Sequence, residues 1–200
     1  NPESKIIYIP AQDSAQPFVG ARNTDIKLGG WNTGVDFGGI AKLAEAAAAA
    51  GQAPPPRVGQ LLAWDVVNKK EVWRVKHATF WNGGTLVTGG NVVFQGLGDG
   101  TFNAWSADKG DKLWSFNAHT GIIAPPVTYT VDGDQYVAVL AGWGGAQVSF
   151  GPDPAAPISQ YGNNGKILAF KIGGNKPFDL PNQTGKLRLM EVSAGFYLWM

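Results

Sequence analysis

One segment of this sequence recurs about 41 residues further on, and this repeat limits the folds open to the chain. Four residues match four others at that offset: Gly59, Ala63, Trp64 and Trp73 match Gly100, Ala104, Trp105 and Trp114. The first half of the repeat appears a third time at residues 165–171, as GKILAFK. A period of about 40 to 45 residues built from short strands is typical of β-propeller blades.

Each copy of the repeat contains short runs rich in Val, Ile, Tyr, Phe and Trp, bounded by Gly, Asp and Asn. Such runs predict strands and tight turns. The middle copy predicts four strands, at 84–88, 91–96, 100–106 and 112–116. The outer copies predict three strands each, at 5–10, 59–65 and 71–76, and at 122–131, 135–141 and 165–172. The predicted fold is therefore all-β: a partial β-propeller of about three blades of four-stranded antiparallel sheet.

A long insertion interrupts the first repeat at residues 11–57. Within it, residues 40–50 are rich in alanine and end at Gly51, which predicts a short surface helix with a glycine stop. We expect residues 1–175 to form the blades. The tail at 176–200 differs in composition, and we expect it to be non-native or disordered.

The charge and cysteine counts exclude several classes of function. Sixteen basic and 15 acidic residues give a net charge of +1, which provides no electrostatic basis for binding nucleic acid. The absence of cysteine excludes disulfides, thiolate metal sites, a cysteine nucleophile and covalent haem attachment within this chain. No apolar run has the length of a membrane span. Because the chain starts without Met or a signal-peptide pattern, we expect it to be the interior of a longer protein.

Residues 104–114 (AWSADKGDKLW) resemble the tryptophan-docking motif of quinoprotein dehydrogenases, in which a small residue, a turn glycine and a terminal tryptophan join neighbouring blades. The copy at 63–73 has Lys69 where that motif has glycine. Longer strings, GGWNTGVDFG, FWNGGTLVTGGNVVFQG and DGDQYVAVLAGWGG, resemble the C-terminal part of the propeller in alcohol dehydrogenases dependent on pyrroloquinoline quinone, or PQQ. The closest type is the quinohaemoprotein group, and the resemblance covers residues 1 to about 181.

The resemblance implies a periplasmic enzyme with an eight-bladed propeller that oxidises small alcohols to aldehydes, with hydride transfer to PQQ. Its expected partners are the rest of the propeller, in a parent chain or second subunit, and a cytochrome or quinone electron acceptor. In the family, the catalytic base and the calcium ligands precede the part that matches this chain. We therefore assign no catalytic residue and no metal ligand here. A haem c belongs to the complete enzyme in some members, but not to this chain.

The resemblance also implies one wall of the cofactor site. Trp81 and Asn82, in FWNGGT, match a tryptophan and an asparagine at the polar edge of the quinone, where an indole and an amide supply packing and hydrogen bonds. Trp143, in AGWGG, matches a second position near the quinone. Trp31 and Asp36, in WNTGVDF, belong to loops over the substrate, which places them near the bound alcohol.

Other interpretations stay open for these residues. Without the resemblance, Asn82 is a turn cap beside a core tryptophan, and Asp36 is a turn residue. His77 and His119 have no second ligand at metal spacing, so they are surface or hydrogen-bonded residues. The alternative functions are a non-catalytic propeller scaffold, used for interaction, and a truncated gene product. As a dehydrogenase segment the chain would supply propeller closure and part of the pocket wall, and alone it would be inactive.

Overall fold

A computed structural model describes residues 2–15, 17–22, 25–26, 28–30, 32–53, 57–144, 165–176 and 178. The described residues form ten strands and one helix, in the order β1 (Ile6–Asp13), α1 (Phe37–Ala49), β2 (Val58–Asp65), β3 (Lys70–His77), β4 (Asn82–Val87), β5 (Val92–Leu97), β6 (Thr101–Ser106), β7 (Lys112–Asn117), β8 (Val127–Val131), β9 (Asp134–Ala141) and β10 (Lys166–Phe170). The expected all-β partial propeller is confirmed.

The strands form three antiparallel sheets, each joining strands that are neighbours in sequence. The first sheet has the order β1-β2-β3, the middle sheet β4-β5-β6-β7, and the third sheet β10-β9-β8. The same register shift occurs after Ala63 in β2 and after Ala104 in β6, which are 41 residues apart. The sequence repeat is therefore a repeat of strand geometry, irregularities included.

Two apolar clusters hold the middle sheet between the other two. Alternate residues of a strand point to opposite faces of the sheet, so each face of the middle sheet has its own set of buried side chains. Toward the first sheet, the buried residues are Leu61, Val93, Leu97, Trp105 and Ala107. Toward the third sheet, they are Phe102, Ala118, Ile122, Val137, Val139 and Ala141. Both clusters are hydrophobic, so burial of apolar surface is the main source of stability between sheets.

Trp73 connects the first sheet to the middle sheet in the way the docking motif predicts. Its Nε1 donates to the Ala107 carbonyl at 3.0 Å, and the Tyr8 hydroxyl donates to the same oxygen at 2.9 Å. The indole also lies against Gly110, where an added Cβ would come within 2.8 Å of the ring. Gly110 has a positive φ of 75° as well, so both space and backbone conformation favour glycine here.

The turn between β2 and β3 has the positive φ of the turn between β6 and β7, although it has Lys69 where the other has Gly110. Lys69, which is 41 residues before Gly110, has a φ of 54°. Asp65 holds this turn, because its Oδ1 accepts from the Val67 and Asn68 backbone N–H groups, both at 2.9 Å. The departure from the motif therefore changes the residue and leaves the turn geometry in place.

Contact density separates the chain into two compact units, residues 1–12 with 58–200, and residues 13–57. In the second unit, Gly20 and Val35 form an isolated antiparallel bridge, and α1 follows. The helix begins at Phe37, three residues before the predicted start, because the Asp36 carboxylate caps it by accepting from the Gly39 N–H at 2.9 Å. Among the described residues no helix has the length and hydropathy to cross a membrane.

The third sheet differs from its prediction at one end. The predicted strand at 122–131 begins only at Val127, because Pro125 and Pro126 lack the backbone N–H that a sheet ladder needs. Ile122 forms instead an isolated parallel bridge with Gly142. The tail prediction concerns residues 176–200, of which the structure describes only 176 and 178, so it lies outside the described residues.

Candidate functional site

Three sequence-predicted residues, Trp81, Asn82 and Trp143, meet around one glycine in the turn between β5 and β6. An added Cβ at Gly98 would lie 2.6 Å from the Trp81 carbonyl oxygen and 3.0 Å from Cη2 of Trp143. The Gly98 N–H donates to Asn82 Oδ1 at 3.0 Å. Residues separated by up to 62 positions are thus brought together at one end of the middle sheet.

Asn82 forms most of its hydrogen bonds within the protein. Its Oδ1 accepts from the Thr79 hydroxyl at 2.6 Å as well as from Gly98, and its Nδ2 donates to the Thr79 carbonyl at 2.8 Å. An amide oxygen has two lone pairs and an amide nitrogen two hydrogens. One Nδ2 hydrogen is therefore available to a further acceptor. Asn82 is half-buried, and its Nδ2 lies close to Gly59 of β2, where an added Cβ would come within 2.4 Å of it.

Trp81 and Trp143 differ in exposure. Trp81 is half-buried, and its ring meets that of Phe80 edge to face, with centroids 6.1 Å apart. Trp143 is only 2% exposed. Its indole lies between Gly98 and Gly121, and an added Cβ at Gly121 would overlap Nε1 and Cε2. Trp81 therefore presents surface at this site, whereas Trp143 forms the packed layer behind it.

A buried hydrogen-bond relay connects His77 of the first sheet, through Gln95, to Gly83, the glycine that follows Asn82. Gln95 is fully buried in β5 and donates through Nε2 to the Gly83 carbonyl at 2.9 Å. The Gln95 Oε1 lies 3.1 Å from His77 Nε2, and because an amide oxygen only accepts, the proton sits on that imidazole nitrogen. The relay holds Gly83 where the β4–β5 register shifts, between Asn82 and Thr85.

Burial lowers the pKa of His77 below its ordinary value of 6.5, and the hydrogen bond that His77 donates to Gln95 opposes this by raising the pKa. A histidine with a lowered pKa binds fewer protons when folded than when unfolded, so folding loses stability as the pH falls. We expect the free energy of unfolding to decrease as the pH falls through about 6.5 and to stop responding to His77 below its lowered pKa. Urea unfolding across this range measures the slope.

His77→Gln is expected to flatten that slope, because glutamine does not titrate. His119→Gln removes the other of the two histidines and serves as the control, which keeps the slope. Equal slopes for the His77→Gln variant and the parent chain would contradict the assignment.

The placement of Trp31 and Asp36 near the substrate stays a prediction. Asp36 is exposed, and its carboxylate caps α1 in the second unit. Trp31 lies outside the described residues. The described residues contain no group of three or more His, Asp or Glu side chains arranged to hold a metal ion. The sequence analysis missed Thr79, Gln95 and Gly121 as partners of the site, since the resemblance assigned cofactor contacts only to Trp81, Asn82 and Trp143.

Comparisons with known proteins point to one family. The profile of the β-propeller domain of PQQ-type glucose, ethanol and alcohol dehydrogenases matches residues 39–137. The chain is 36% identical over 181 residues to the quinohemoprotein alcohol dehydrogenase ADH IIB of Pseudomonas putida, covering 90% of this chain and 25% of that protein. It is 50% identical over 116 residues to the 1-butanol dehydrogenase (cytochrome c) of Thauera butanivorans, covering 58% of this chain and 16% of that protein.

Solved structures agree with the sequence comparisons. The quinohemoprotein alcohol dehydrogenase ADHIIG of Pseudomonas putida superposes with a TM-score of 0.73 at 32% identity, over 93% of this chain and 27% of that one. The quinohemoprotein alcohol dehydrogenase of Comamonas testosteroni superposes with a TM-score of 0.64 at 33% identity, over 94% of this chain and 26% of that one. The chain thus spans about a quarter of the length of the full-length relatives it matches.

Proposed function

We propose that this chain, whose residues 39–137 belong to the β-propeller domain family of PQQ-type dehydrogenases, supplies C-terminal blades and part of the cofactor wall of a PQQ-dependent alcohol dehydrogenase. The complete enzyme would oxidise alcohols to aldehydes. A bound quinone would supply the two-electron oxidant for the alcohol, and Trp81 and Asn82 would line one of its edges. The catalytic base and the calcium ligands would come from outside this chain.

The observation that carries the proposal is the meeting of Trp81, Asn82 and Trp143 at Gly98. The resemblance selected these residues from separate motifs, and the fold joins them at one end of the middle sheet.

The residues present fit one edge of a flat, polar quinone. Carbonyl and carboxylate oxygens of such a molecule are acceptors, and Asn82 retains one N–H for an acceptor. The half-buried Trp81 adds an indole surface beside it. The burial of Trp143 favours a supporting role for that residue, so the cofactor contact predicted for it stays a prediction.

The remaining parts of the proposal rest on the resemblance. We place the enzyme in the periplasm, with a cytochrome or quinone as electron acceptor and the rest of the propeller as the partner of this chain. Asp36 and Trp31 stay proposed neighbours of the alcohol. Calcium and haem c would belong to the complete enzyme and take their ligands outside this chain.

A second function, a non-catalytic propeller scaffold, has one observation in its favour. Three of the hydrogen bonds of Asn82 are made to Thr79 and Gly98, so the residue has a structural role that requires no ligand. Binding of the quinone separates the two functions, because a scaffold has no use for it.

The test is a chimera in which this chain replaces the matching quarter of the Pseudomonas putida enzyme. We expect the purified apo chimera to bind PQQ in an absorbance titration and to oxidise 1-butanol. The double variant Trp81→Ala, Asn82→Ala is expected to raise the dissociation constant for PQQ about tenfold or more, because packing and a hydrogen bond are both lost. The chain alone, with PQQ and calcium added, is expected to show no oxidation.

The control is the double variant Trp114→Ala, Asn117→Ala, which removes the same residue types from an exposed part of β7. It should leave PQQ affinity unchanged. A folded chimera that takes up no PQQ, or equal affinity in both double variants, would favour the scaffold function.

A further inference from the structure

The middle sheet buries two polar residues at a position where the third sheet has apolar ones. Gln95 of β5 is paired with Asn103 of β6, and both residues are fully buried. The equivalent pair in the third sheet is Val139 of β9 and Leu168 of β10. A buried amide needs hydrogen-bond partners to offset its lost hydration, whereas valine needs none. The blade fold therefore does not require glutamine here, and the partners of Gln95 indicate its role.

One partner of Gln95 is a backbone carbonyl inside an irregular part of β4. The register of β4 and β5 shifts between Asn82 and Thr85, which leaves Gly83 and Gly84 in a bulge. The Gln95 Nε2 donates to the Gly83 carbonyl at 2.9 Å, so a side chain provides a hydrogen bond within the bulge. Bulges beside functional sites change the direction of a neighbouring side chain, which here is that of Asn82.

The other partner of Gln95 is His77, which fixes the orientation of the amide. The His77 Nε2–H donates to Gln95 Oε1 at 3.1 Å, and the Gly83 carbonyl can only accept, so one orientation of the amide satisfies both. The His77 ring lies against Trp105, with ring centroids 5.8 Å apart. The matching residue of the middle sheet is Ala118, so the repeat does not require the histidine either.

We propose that Gln95 is a positioning residue for Asn82, through its bond to the Gly83 carbonyl, and that His77 sets the orientation of the Gln95 amide. The inference rests on the proposed function in one respect, the contact of Asn82 with the quinone. The restraint on Asn82 itself is a property of the chain without cofactor.

The relay and the direct bonds of Asn82 restrain different parts of that residue. The bonds to Thr79 and Gly98 fix the side-chain amide, whereas the relay fixes the backbone next to it. Together they keep the remaining Nδ2 hydrogen of Asn82 in one direction. Such preorganisation favours binding, because the amide needs no reordering when an acceptor on the quinone edge reaches it.

The first measurement is hydrogen exchange of the apo chimera, resolved to single residues by mass spectrometry. The Gly98 N–H donates to Asn82 Oδ1, so its exchange rate reports whether Asn82 keeps its place. We expect Gln95→Leu to speed exchange at Gly98 about tenfold or more, because the Gly83 carbonyl loses its donor. The reference is the Thr88 N–H at the other end of β4, which should change much less.

The second measurement is the dissociation constant for PQQ. We expect Gln95→Leu to raise it about tenfold in the chimera and to have little further effect when Asn82→Ala is already present, since no amide is then left to position. His77→Phe keeps a ring beside Trp105 but has no donor. It should raise the dissociation constant less than Gln95→Leu does, because Gln95 can still donate to Gly83.

Gln60→Leu is the matched control, with the same substitution at another buried glutamine. Gln60 is 7% exposed, and its Oε1 accepts from Arg74 Nη1 at 2.9 Å, away from the relay. It should change exchange at Gly98 and Thr88 by the same factor. The dissociation constant for PQQ should stay that of the parent chimera.

The outcomes separate this inference from the proposed function. Unchanged exchange at Gly98 in Gln95→Leu, relative to the reference amide, overturns the proposal. An equal loss of PQQ affinity with and without Asn82→Ala also overturns it, because Gln95 would then act by another route. Faster exchange at Gly98 in a chimera whose parent binds no PQQ supports the positioning of Asn82 and counts against the proposed function alone.

Discussion

Replacing Trp105 by alanine is expected to lower the free energy of unfolding of the chain by roughly 3–5 kcal/mol, the range for a large buried aromatic residue. Trp105 is 1% exposed and packs with Leu61 and Val93 between the first and middle sheets. The His77 ring lies 5.8 Å from it. The change removes the largest fully buried side chain from the interface between two sheets. Urea unfolding followed by circular dichroism measures the loss.

Trp114→Ala is the matched control, since Trp114 occupies the terminal position of the second docking motif and is 40% exposed. It contacts Phe170 of the third sheet with ring centroids 5.3 Å apart, so some loss is expected. The loss should be clearly smaller than that of Trp105→Ala, because less surface leaves the interior. Equal losses would show that exposure does not govern the contribution of these tryptophans.

The second large effect is expected from Gly121→Ala. The added methyl group would overlap the Trp143 indole, which is nearly fully buried and has little room to move. Overpacking of a core costs about 1–3 kcal/mol, so we expect a lower free energy of unfolding by that amount. The same displacement would move Trp143 away from Gly98, so PQQ affinity in the chimera should decrease as well.

Gly89→Ala is the control for that variant. An added Cβ at Gly89 meets no atom within 4 Å, and its φ lies outside the left-handed region. The free energy of unfolding should stay the same or rise slightly, because alanine reduces the freedom of the unfolded chain. If Gly121→Ala were as well tolerated as Gly89→Ala, the packing assigned to Trp143 would be wrong.

Much of the fold follows from local patterns. The strands of all three sheets were predicted from runs of β-branched and aromatic residues between turn residues, and the 41-residue offset predicted that β2 and β6 share a geometry. The docking role of Trp73 was also predicted, and its bond to Ala107 agrees with it. Lys69 shows the limit of motif reading: a residue that departs from the motif still adopts the conformation of the turn, because Asp65 holds it.

The boundaries of elements were predicted less well, since they depend on single hydrogen bonds. The cap by Asp36 extends α1 toward its N-terminus, and the two prolines delay β8. The predicted site residues were selected by resemblance, and the relay of His77, Gln95 and Gly83 was not predicted at all. Its members stand in three different strands, and nothing in their local sequence shows that they meet.

The sequence by itself determined the repeat, the strands and the small residues against which other parts of the chain pack closely. These features depend on spacing and on the size of side chains along one strand. Only the tertiary structure decided which matching residues are buried. Phe102 and Ile167 occupy equivalent positions, yet one is 0% and the other 76% exposed. The difference has a physical cause that local sequence does not contain: burial depends on whether another sheet lies against the face, and that is a property of the packed sheets rather than of the strand.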